Sequence, residues 1–335
     1  MDKQNRQVVL SGVRATGKQH LGNFLGVFQR FARLSRDPSF QCFFFIADWH
    51  TLTTMRDAAR LKEGIKSIVL DYLAAGIDPA SAVIYPQSAV LETAELMWYL
   101  ACLTPEADLR RMPHFKEKSR QQKEGDFVNA GLLNYPVLMA ADILGPKADL
   151  VPVGKDQLAH LELAQSLARR FNNRFGQTFF IPDALKEEAI IVPGLDGTGK
   201  MGKTEGNTIN LDDPPEVVVE KLRTAVTDPS RARRSDPGDP AKCNIYTLHT
   251  FMSTNDEITY VWEGCRNAAI GCVECKALVA GHINKLLGPF QERRVGLCAD
   301  SDLVPEILRK GIGEARAVIA ATVAEVRAKV GMGVW

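Results

Sequence analysis

Apolar runs and helix-spaced apolar residues alternate along the first half of the chain. Four runs, at positions 8–10, 41–47, 82–85 and 150–153, have the composition of buried strands. Between them, apolar residues recur every three or four positions, which indicates amphipathic helices; the first series is Leu21, Phe24, Phe28 and Phe31. Strands that alternate with helices form parallel sheets. The order therefore predicts an α/β fold with a doubly wound parallel sheet, which binds ligands at the carboxyl ends of its strands.

The second half has a different pattern. From about Pro214 onwards the sequence is helical, most clearly at 216–226 and 304–330. A chain of 335 residues has room for two domains of typical size. We therefore expect an α/β domain at 1–205 and an all-helical domain at 206–335. Within the first domain, 108–126 is predicted to be a solvated insertion, because it is poor in apolar residues and carries a group of basic ones: Arg110, Arg111, Lys116, Lys118, Arg120 and Lys123.

The chain has almost no net charge, since 41 Lys and Arg residues stand against 40 Asp and Glu, a formal charge of +1. This balance excludes a protein that binds nucleic acid through a general basic surface, so any contact with nucleic acid must be local. The first residues are polar, and no apolar run reaches the roughly 20 residues that span a bilayer. We expect a cytoplasmic protein that makes no contact with membranes.

A glycine-containing turn at 16–23 lies where the first strand passes into the first helix. Glycine lets the backbone approach a phosphate closely, and a helix amino terminus offers free N–H groups and a positive dipole. His20 and Asn23 add donors on the same side. The segment is a candidate phosphate-binding turn, with the equally weighted alternative that its glycines serve only the geometry of the turn.

A second glycine-rich segment, at 197–204, carries Lys200 and Lys203. Lysine is a compact positive charge that suits a triphosphate releasing pyrophosphate, and the flanking glycines allow the loop to close over a ligand. Two lysines in a loop, taken alone, are more often solvated surface charges. Their pairing with the turn at 16–23 is what makes them candidates for phosphate binding.

Together these two segments resemble the signatures of class I aminoacyl-tRNA synthetases, His-Ile-Gly-His and Lys-Met-Ser-Lys-Ser. This chain has His20-Leu-Gly-Asn23 and Lys200-Met-Gly-Lys-Thr204, so the last position of the first signature and both serines of the second differ. Both lysines are retained. The resemblance implies a Rossmann-like catalytic domain followed by a helical domain that reads the anticodon.

Further motifs narrow the resemblance to the tryptophanyl-tRNA synthetases, and it extends over essentially the whole chain. The motifs are Ala47-Asp-Trp-His50, Phe115-Lys-Glu-Lys118, Gly131-Leu-Leu-Asn-Tyr135-Pro-Val-Leu-Met139-Ala-Ala-Asp142 and Val151-Pro-Val-Gly154-Lys-Asp156-Gln157. Asp142 lies in an apolar stretch, where a carboxylate needs a donor; a helix backbone or an arginine would be the ordinary partner. By resemblance, it accepts the indole N–H of tryptophan, which is that side chain's only donor.

The resemblance also implies the site residues. Electrostatic catalysis falls to His20, Asn23, Lys200 and Lys203. The residues that match the tryptophan-binding positions are Leu10, His50, Tyr135, Met139, Asp142, Val151, Val153 and Gln157. Ordinary structural roles also remain open for three of them: Val151 and Val153 would pack in a strand, and His50 would be a hydrogen-bonded histidine of the core. Those that match the ATP-binding positions are Arg14, Ala15, Thr16, Gly22, Asn23, Gly154, Lys155, Asp156, Val192 (or its neighbour Ile191), Lys200, Met201, Gly202, Lys203 and Thr204.

The implied activity is a tryptophan–tRNA ligase that works as a homodimer. The carboxylate of L-tryptophan attacks the α-phosphate of Mg²⁺-ATP to give tryptophanyl-adenylate and pyrophosphate. The 3′-terminal ribose of tRNA(Trp) then accepts the aminoacyl group. No covalent nucleophile is needed, because positioning and charge stabilisation supply most of the acceleration.

Four of the seven cysteines crowd the last third of the chain, with the spacing Cys243-x21-Cys265-x6-Cys272-x2-Cys275. Four thiolates suit tetrahedral Zn²⁺ or a [4Fe–4S] cluster, and spacing alone does not separate the two or exclude ordinary reduced thiols. A subset of bacterial tryptophanyl-tRNA synthetases has nearly this arrangement and carries [4Fe–4S], which the resemblance favours. The arginines before the cysteines are candidates for RNA phosphate or for a solvated loop: Arg231, Arg233 and Arg234.

Three other functions fit parts of the pattern. A tyrosyl-tRNA synthetase would share the phosphate-binding segments, but Met139 and the run 151–153 offer apolar walls where a phenol needs polar partners. A nucleotidyltransferase that adenylylates a small molecule would not need a helical domain of about 120 residues, the size of a whole domain. A non-enzymatic RNA- or tryptophan-binding relative would explain the departures at Asn23, Gly202 and Thr204, but not the two retained lysines.

Overall fold

A computed structural model describes residues 6–113, 115, 129–185, 190–203 and 205–333. Within these residues, five parallel strands form one sheet in the order β3-β2-β1-β4-β5. The strands are β1 (Gln7–Val13), β2 (Phe40–Ile46), β3 (Ala82–Pro86), β4 (Leu150–Val151) and β5 (Asp183–Ala184). The chain adds β2 and β3 on one side of β1 and then β4 and β5 on the other side. The edge of β1 where the order reverses is the switch point of a doubly wound sheet. The predicted fold class is confirmed.

Helices connect the strands and cover both faces of the sheet. The first, α1, runs continuously through Leu21–Asn23, a π-helical turn Phe24–Phe28 and Gln29–Arg36. The others in the first half are α2 (Asp48–Leu52), α3 (Ala58–Ala74), α4 (Glu92–Ala101), α5 (Glu106–Arg111), α6 (Ala130–Leu144) and α7 (Leu158–Phe175).

Alternate side chains of the strands enter two separate apolar cores, because successive residues of a strand point to opposite faces. Val9 and Phe44 belong to the core on one face, where the Phe44 ring stacks on Phe31 at a centroid distance of 4.1 Å. Leu10 and Phe43, which lie opposite each other in the ladder, belong to the core on the other face. The continuous apolar composition of β2 follows from this burial on both faces.

After the sheet the chain is helical, with α8 (Pro215–Thr224), α9 (Asn244–Met252), α10 (Asn255–Arg266), α11 (Cys272–Cys298) and α12 (Leu303–Lys329). Helix α11 packs on α3, where Arg294 bonds to Asp71. Helix α12 packs on β3, and a Cβ atom on Gly311 would collide with the carbonyl oxygen of Ile84. The last helix thus contributes to the core of the sheet, and the division at 205/206 stays a prediction.

The predicted basic insertion is only partly within the described residues. Arg110 and Arg111 lie at the end of α5, where they pair with Glu106 and Asp108 and are exposed. The remaining members of the basic group lie outside the described residues: Lys116, Lys118, Arg120 and Lys123. No helix in the described part of the chain is long and apolar enough to cross a membrane.

Candidate active site

The turn between β1 and α1 presents a buried imidazole. His20 caps the first helix, and its backbone N–H donates to the Asn23 Oδ1 atom at 3.1 Å. Burial, with the positive charge of Lys203 nearby, lowers the pKa of His20 to about 4, so the ring is neutral at pH 7. Its Nδ1 atom is buried and has no hydrogen-bond partner among the described residues. A buried polar atom of this kind fits a partner supplied by a ligand.

The turn is fastened to a distant segment of the chain. The Leu21 N–H donates to the Ile209 carbonyl at 2.8 Å, and the Leu211 N–H donates to the Gln19 carbonyl at 2.9 Å. Because this segment directly follows the loop that carries Lys200 and Lys203, the two motifs lie side by side although about 180 positions separate them along the sequence.

The lysine loop folds back on itself as a hairpin. The Met201 N–H donates to the Val192 carbonyl at 2.9 Å, and the hairpin places Lys203 Nζ 3.5 Å from Thr16 Oγ1 in the first turn. Burial lowers the pKa of Lys203 to about 8, which leaves the ammonium mostly charged at pH 7. Lys200 is exposed and lies 4.0 Å from Asp156.

Asn207, which sequence reasoning missed, holds the hairpin together. Its buried side-chain oxygen accepts the Gly202 N–H at 2.9 Å, and its amide nitrogen donates to Asp196 at 2.9 Å. The sequence carries one signal for it, the Gly206-Asn207 pair, which is typical of a turn. A turn signal alone does not reveal the two bonds that this amide makes.

Val192 and its neighbour differ in where they lie. Val192 is buried, and a Cβ atom on Gly22 would lie 3.6 Å from its Cβ atom and 3.1 Å from the His20 ring. Ile191 is 60% exposed. Val192 therefore lies against the glycine of the phosphate-binding turn. The absence of a side chain at Gly22 leaves room between the imidazole and the hairpin.

A second group of polar side chains surrounds Asp142 on α6. The Asp142 carboxylate is buried, and its Oδ2 atom lies 2.8 Å from His50 Nε2. The Gln87 amide nitrogen, also buried, lies 2.8 and 2.9 Å from the two carboxylate oxygens. Burial raises the pKa of Asp142, and the bonds from His50 and Gln87 oppose that shift. Gln87 was not predicted from the sequence, because nothing in its immediate neighbours points to Asp142.

Tyr135, about two turns before Asp142 along α6, contacts two histidines. Its hydroxyl lies 2.6 Å from His160 Nε2, and its ring meets the His50 ring edge to face at a centroid distance of 6.1 Å. Burial raises the pKa of Tyr135 to about 12, so the phenol is protonated and neutral at physiological pH. Arg14, whose pKa burial lowers, bonds to the Thr54 hydroxyl. The structure thus groups Tyr135, His50 and Asp142.

The predicted apolar residues of the tryptophan site belong to one core. Leu10 and Val151 are buried in the same core, and Met139 and Val153 are partly buried against it. Elsewhere, the Ala15 N–H donates to Thr51 Oγ1 at 3.0 Å, which fixes the start of the first turn. The remaining predicted residues have few contacts that bear on their roles. The Gln157 amide donates to Asp156, and the Gln157 N–H donates to the Gly154 carbonyl in the same turn. The Lys155 side chain and Thr204 lie outside the described residues.

The four clustered cysteines line one small cavity between α9, α10 and α11. Burial, together with the other three cysteines, raises the pKa of Cys275 to about 12. The cavity includes Arg231, whose guanidinium lies 3.6 Å from Cys265 Sγ and also bonds to the Ile270 carbonyl at 2.8 Å. Arg231 therefore faces the cysteines rather than solvent. On the opposite side, His249 Nε2 lies 3.4 Å from Cys275 Sγ.

The cysteines do not converge on a single point. Within the described ranges, no three His, Cys, Asp or Glu side chains come close enough together to hold one metal ion. A tetrahedral zinc site needs all four sulfur atoms at about 2.3 Å from one ion. Among the described residues, the arrangement is therefore a cavity lined by four thiols, not a preformed metal site.

Comparisons with known proteins give a consistent result. Residues 2–288 match the family model described as tRNA synthetases class I (W and Y). The tryptophan–tRNA ligase of Deinococcus radiodurans is 44% identical over 326 residues, with 96% of this chain and 98% of the relative covered. That of Thermotoga maritima is 41% identical over 321 residues, covering 95% and 97%. The crystal structure of tryptophanyl-tRNA synthetase from Campylobacter jejuni complexed with ADP and tryptophan superposes with a TM-score of 0.85, at 31% identity, over 97% of this chain and all of that one.

Proposed function

Because the chain belongs to the class I tRNA synthetases for tryptophan and tyrosine, we infer that it is a tryptophan–tRNA ligase. It is an ATP-dependent enzyme that activates L-tryptophan to tryptophanyl-adenylate with release of pyrophosphate. It then transfers the tryptophanyl group to the 3′-terminal ribose of tRNA(Trp). The observation that carries the choice of tryptophan is the buried Asp142 carboxylate, held by His50 and Gln87 in an otherwise apolar environment.

The indole ring has one hydrogen-bond donor, its N–H, and no acceptor in the plane. Asp142 offers that donor a buried acceptor, and Leu10, Met139 and Val151 offer apolar contacts for the ring. An amino acid without the N–H would leave the carboxylate without this partner, which is costly in a buried site. Tyr135 and Gln157 are proposed to hold the polar end of tryptophan, as the family resemblance implies.

ATP is proposed to bind at the junction of the first turn and the lysine hairpin. The α1 amino terminus supplies backbone N–H groups, and the neutral His20 supplies a ring nitrogen without a partner in the described structure. Lys203 lies near Thr16 at the same junction, where its charge can stabilise the pyrophosphate that forms. Lys200 is exposed, so its contribution requires the hairpin to close over the nucleotide. Mg²⁺ enters with ATP and neutralises part of the phosphate charge.

The reaction needs no side chain that forms a covalent bond to the substrate. The tryptophan carboxylate is itself the nucleophile, and pyrophosphate is the leaving group. The protein's part is to hold the carboxylate in line with the α-phosphate and to stabilise the charge that develops on the phosphate oxygens. His20, Asn23, Lys200 and Lys203 are assigned to that second task.

The four-cysteine cavity is proposed to hold a [4Fe–4S] cluster. The proposal rests on the four thiols that line one cavity, Cys243, Cys265, Cys272 and Cys275, each of which would supply one thiolate to the cluster. When bound, the cluster supplies a cross-link between helices. Its charge also offsets the repulsion among four thiolates, the same repulsion that helps to raise the pKa of Cys275. Zn²⁺ remains the alternative occupant.

We also propose a homodimer that acts in the cytoplasm, where tRNA is charged. Large apolar side chains on and beside α4 support the dimer, since Leu91 is 65% exposed and Trp98 is 69% exposed. Surfaces of this kind are typical of protein contacts.

The function is tested by ATP–pyrophosphate exchange with tryptophan or tyrosine, followed by charging of tRNA(Trp) with labelled tryptophan. We expect exchange with tryptophan only. Exchange with tyrosine would assign the chain to the other branch of the family. Tryptophan binding without exchange would instead indicate a binding protein that has lost activation.

A further inference from the structure

The Gln87 side chain contacts both Asp142 and His50, although no pattern in the sequence points to Gln87. It lies in the 3₁₀ turn Gln87–Ala89 that follows β3, and its side chain is 1% exposed. The amide nitrogen lies 2.8 Å from Asp142 Oδ1 and 2.9 Å from Asp142 Oδ2. The amide oxygen accepts the backbone N–H of His50 at 3.3 Å. One side chain thus holds both the carboxylate and the backbone of its histidine partner.

A count of hydrogen-bonding positions shows what these contacts leave over. A carboxylate has about four acceptor positions, two on each oxygen. Among the described residues, Oδ2 of Asp142 faces two donors, Gln87 Nε2 and His50 Nε2, while Oδ1 faces Gln87 Nε2 alone. One acceptor position, on Oδ1, is therefore left open. An indole ring has one donor, its N–H, so one indole would fill that position.

We propose that Gln87 is a positioning residue that orients Asp142 and restricts it to one free acceptor, which selects an aromatic ligand with one N–H. The inference rests on the proposed tryptophan-ligase function and deepens it, since it names a determinant of the amino-acid specificity. Gln87 acts through Asp142, and it is not assigned a contact with the reacting atoms.

The turn that carries Gln87 is itself fixed by a neighbouring carboxylate. Asp48, which begins α2 after β2, accepts the backbone N–H of Ser88 at 2.9 Å and also the Ser88 hydroxyl. Asp48 is 3% exposed. The carboxyl ends of β2 and β3 are thereby tied together at the residue next to Gln87, which fixes the backbone from which the amide reaches Asp142.

The experiment replaces the amide by a side chain of similar size without donors. Gln87→Met and, as a control, Gln165→Met are compared by steady-state pyrophosphate exchange. Gln165 is a matched control because its amide also donates one bond inside the protein, to the Pro182 carbonyl at 2.8 Å, at the far end of the sheet from Asp142. The substrates are tryptophan and 3-benzothienylalanine, in which sulfur replaces the indole N–H.

We expect Gln87→Met to raise the KM for tryptophan roughly 10- to 100-fold, the range of one hydrogen bond to a charged group. The kcat and the KM for ATP should change less than about threefold, because the phosphate site is not touched. The preference for tryptophan over the sulfur analogue should fall about tenfold or more. Gln165→Met should leave all of these values unchanged.

A role in folding alone is the competing explanation, and it predicts a lower melting temperature with an unchanged KM and an unchanged analogue preference; that result would overturn the inference. If Gln87→Met does not fold, Gln87→Glu keeps the volume and sets a second carboxylate against Asp142, so the same loss of tryptophan affinity is expected. Wild-type protein without exchange would instead contradict the proposed function. Calorimetric binding of tryptophan to wild type and Gln87→Met then decides the inference separately. Binding by wild type that is weaker or lost in the variant supports it; equal binding by both proteins, or no binding by wild type, overturns it.

Discussion

The Arg294 guanidinium donates to the Asp71 carboxylate at 2.6 Å, and this contact joins α11 in the helical part of the chain to α3 beside the sheet. A second bond, 2.9 Å long, runs from Arg294 to the Ser67 hydroxyl. Asp71 is buried, and burial raises the pKa of its carboxyl, an effect that the guanidinium opposes. The pair lies near Lys203, so it connects the packing of two helices to the electrostatics of the lysine hairpin.

We predict that Arg294→Met lowers the free energy of unfolding by about 2 kcal/mol at pH 8, because it leaves a buried carboxylate without its cation. The loss should be smaller at pH 5, since a carboxyl whose pKa is raised takes up a proton more readily and then no longer needs the guanidinium. Urea denaturation at both pH values measures the difference. Arg223→Met removes an exposed pair with Glu220, which solvent screens, and should cost far less. Equal losses in the two variants would contradict the prediction.

The second prediction concerns the charge of Lys203. Because burial lowers its pKa to about 8, the ammonium is charged below that pH and loses its proton above it. The value of kcat/KM for ATP, which reports the free enzyme, should therefore decline as the pH rises through about 8. Lys203→Arg keeps its charge, so its activity should be lower but should not decline over the same range. Lys203→Ala should lose about 100- to 1000-fold at pH 7.

Pyrophosphate exchange between pH 6.5 and 9.5 checks this prediction. Tryptophan binding to Lys203→Ala, measured without ATP, serves as its control and should equal the wild-type value. A wild-type profile that stays flat to pH 9.5 would show that Lys203 does not titrate in the range its surroundings indicate.

Sequence patterns locate the sheet because each strand and helix here has a local signature. Asp142 is detectable for the same reason, since a carboxylate within an apolar helix stands out among its neighbours. Gln87 and Asn207 are not detectable, because their roles depend on atoms brought near by the fold. Gln87 meets a carboxylate 55 positions away, and Asn207 ties down a loop through one side-chain amide. The contact of Arg231 with Cys265 is hidden in the same way.

The third prediction uses two glycines on α12. A Cβ atom on Gly311 would collide with the Ile84 carbonyl, whereas one on Gly313, which is exposed, meets no atom within 4 Å. Gly311→Ala should therefore destabilise the protein by about 1–3 kcal/mol, because helix and strand must move apart. Gly313→Ala should stabilise it by up to about 1 kcal/mol, because alanine favours a helix. Thermal unfolding measures both, and a loss of stability in Gly313→Ala as large as that in Gly311→Ala would contradict the packing of α12 on β3.

The fourth prediction concerns the cysteines. Protein purified without oxygen should contain about four iron and four sulfide ions per chain. Cys265→Ser should lose them and melt at a lower temperature, because the helices around the cavity lose their cross-link. Cys298→Ser, which changes an exposed cysteine outside the cavity, should retain the iron. Iron and sulfide analysis, with zinc measured in the same samples, tests this. One zinc ion per chain without iron would contradict the prediction and assign the site to Zn²⁺.

The packing of Gly311 against Ile84 has a consequence for biosynthesis. β3 is an edge strand of the sheet in the described residues, and the helix that lies across it leaves a translating ribosome only after all five strands have been made. Until then the strand has no cover from α12, and an unprotected edge can pair with another nascent chain. The edge of the sheet therefore stays open until α12 has been made, so a chain truncated before α12 should aggregate even though all five strands are present.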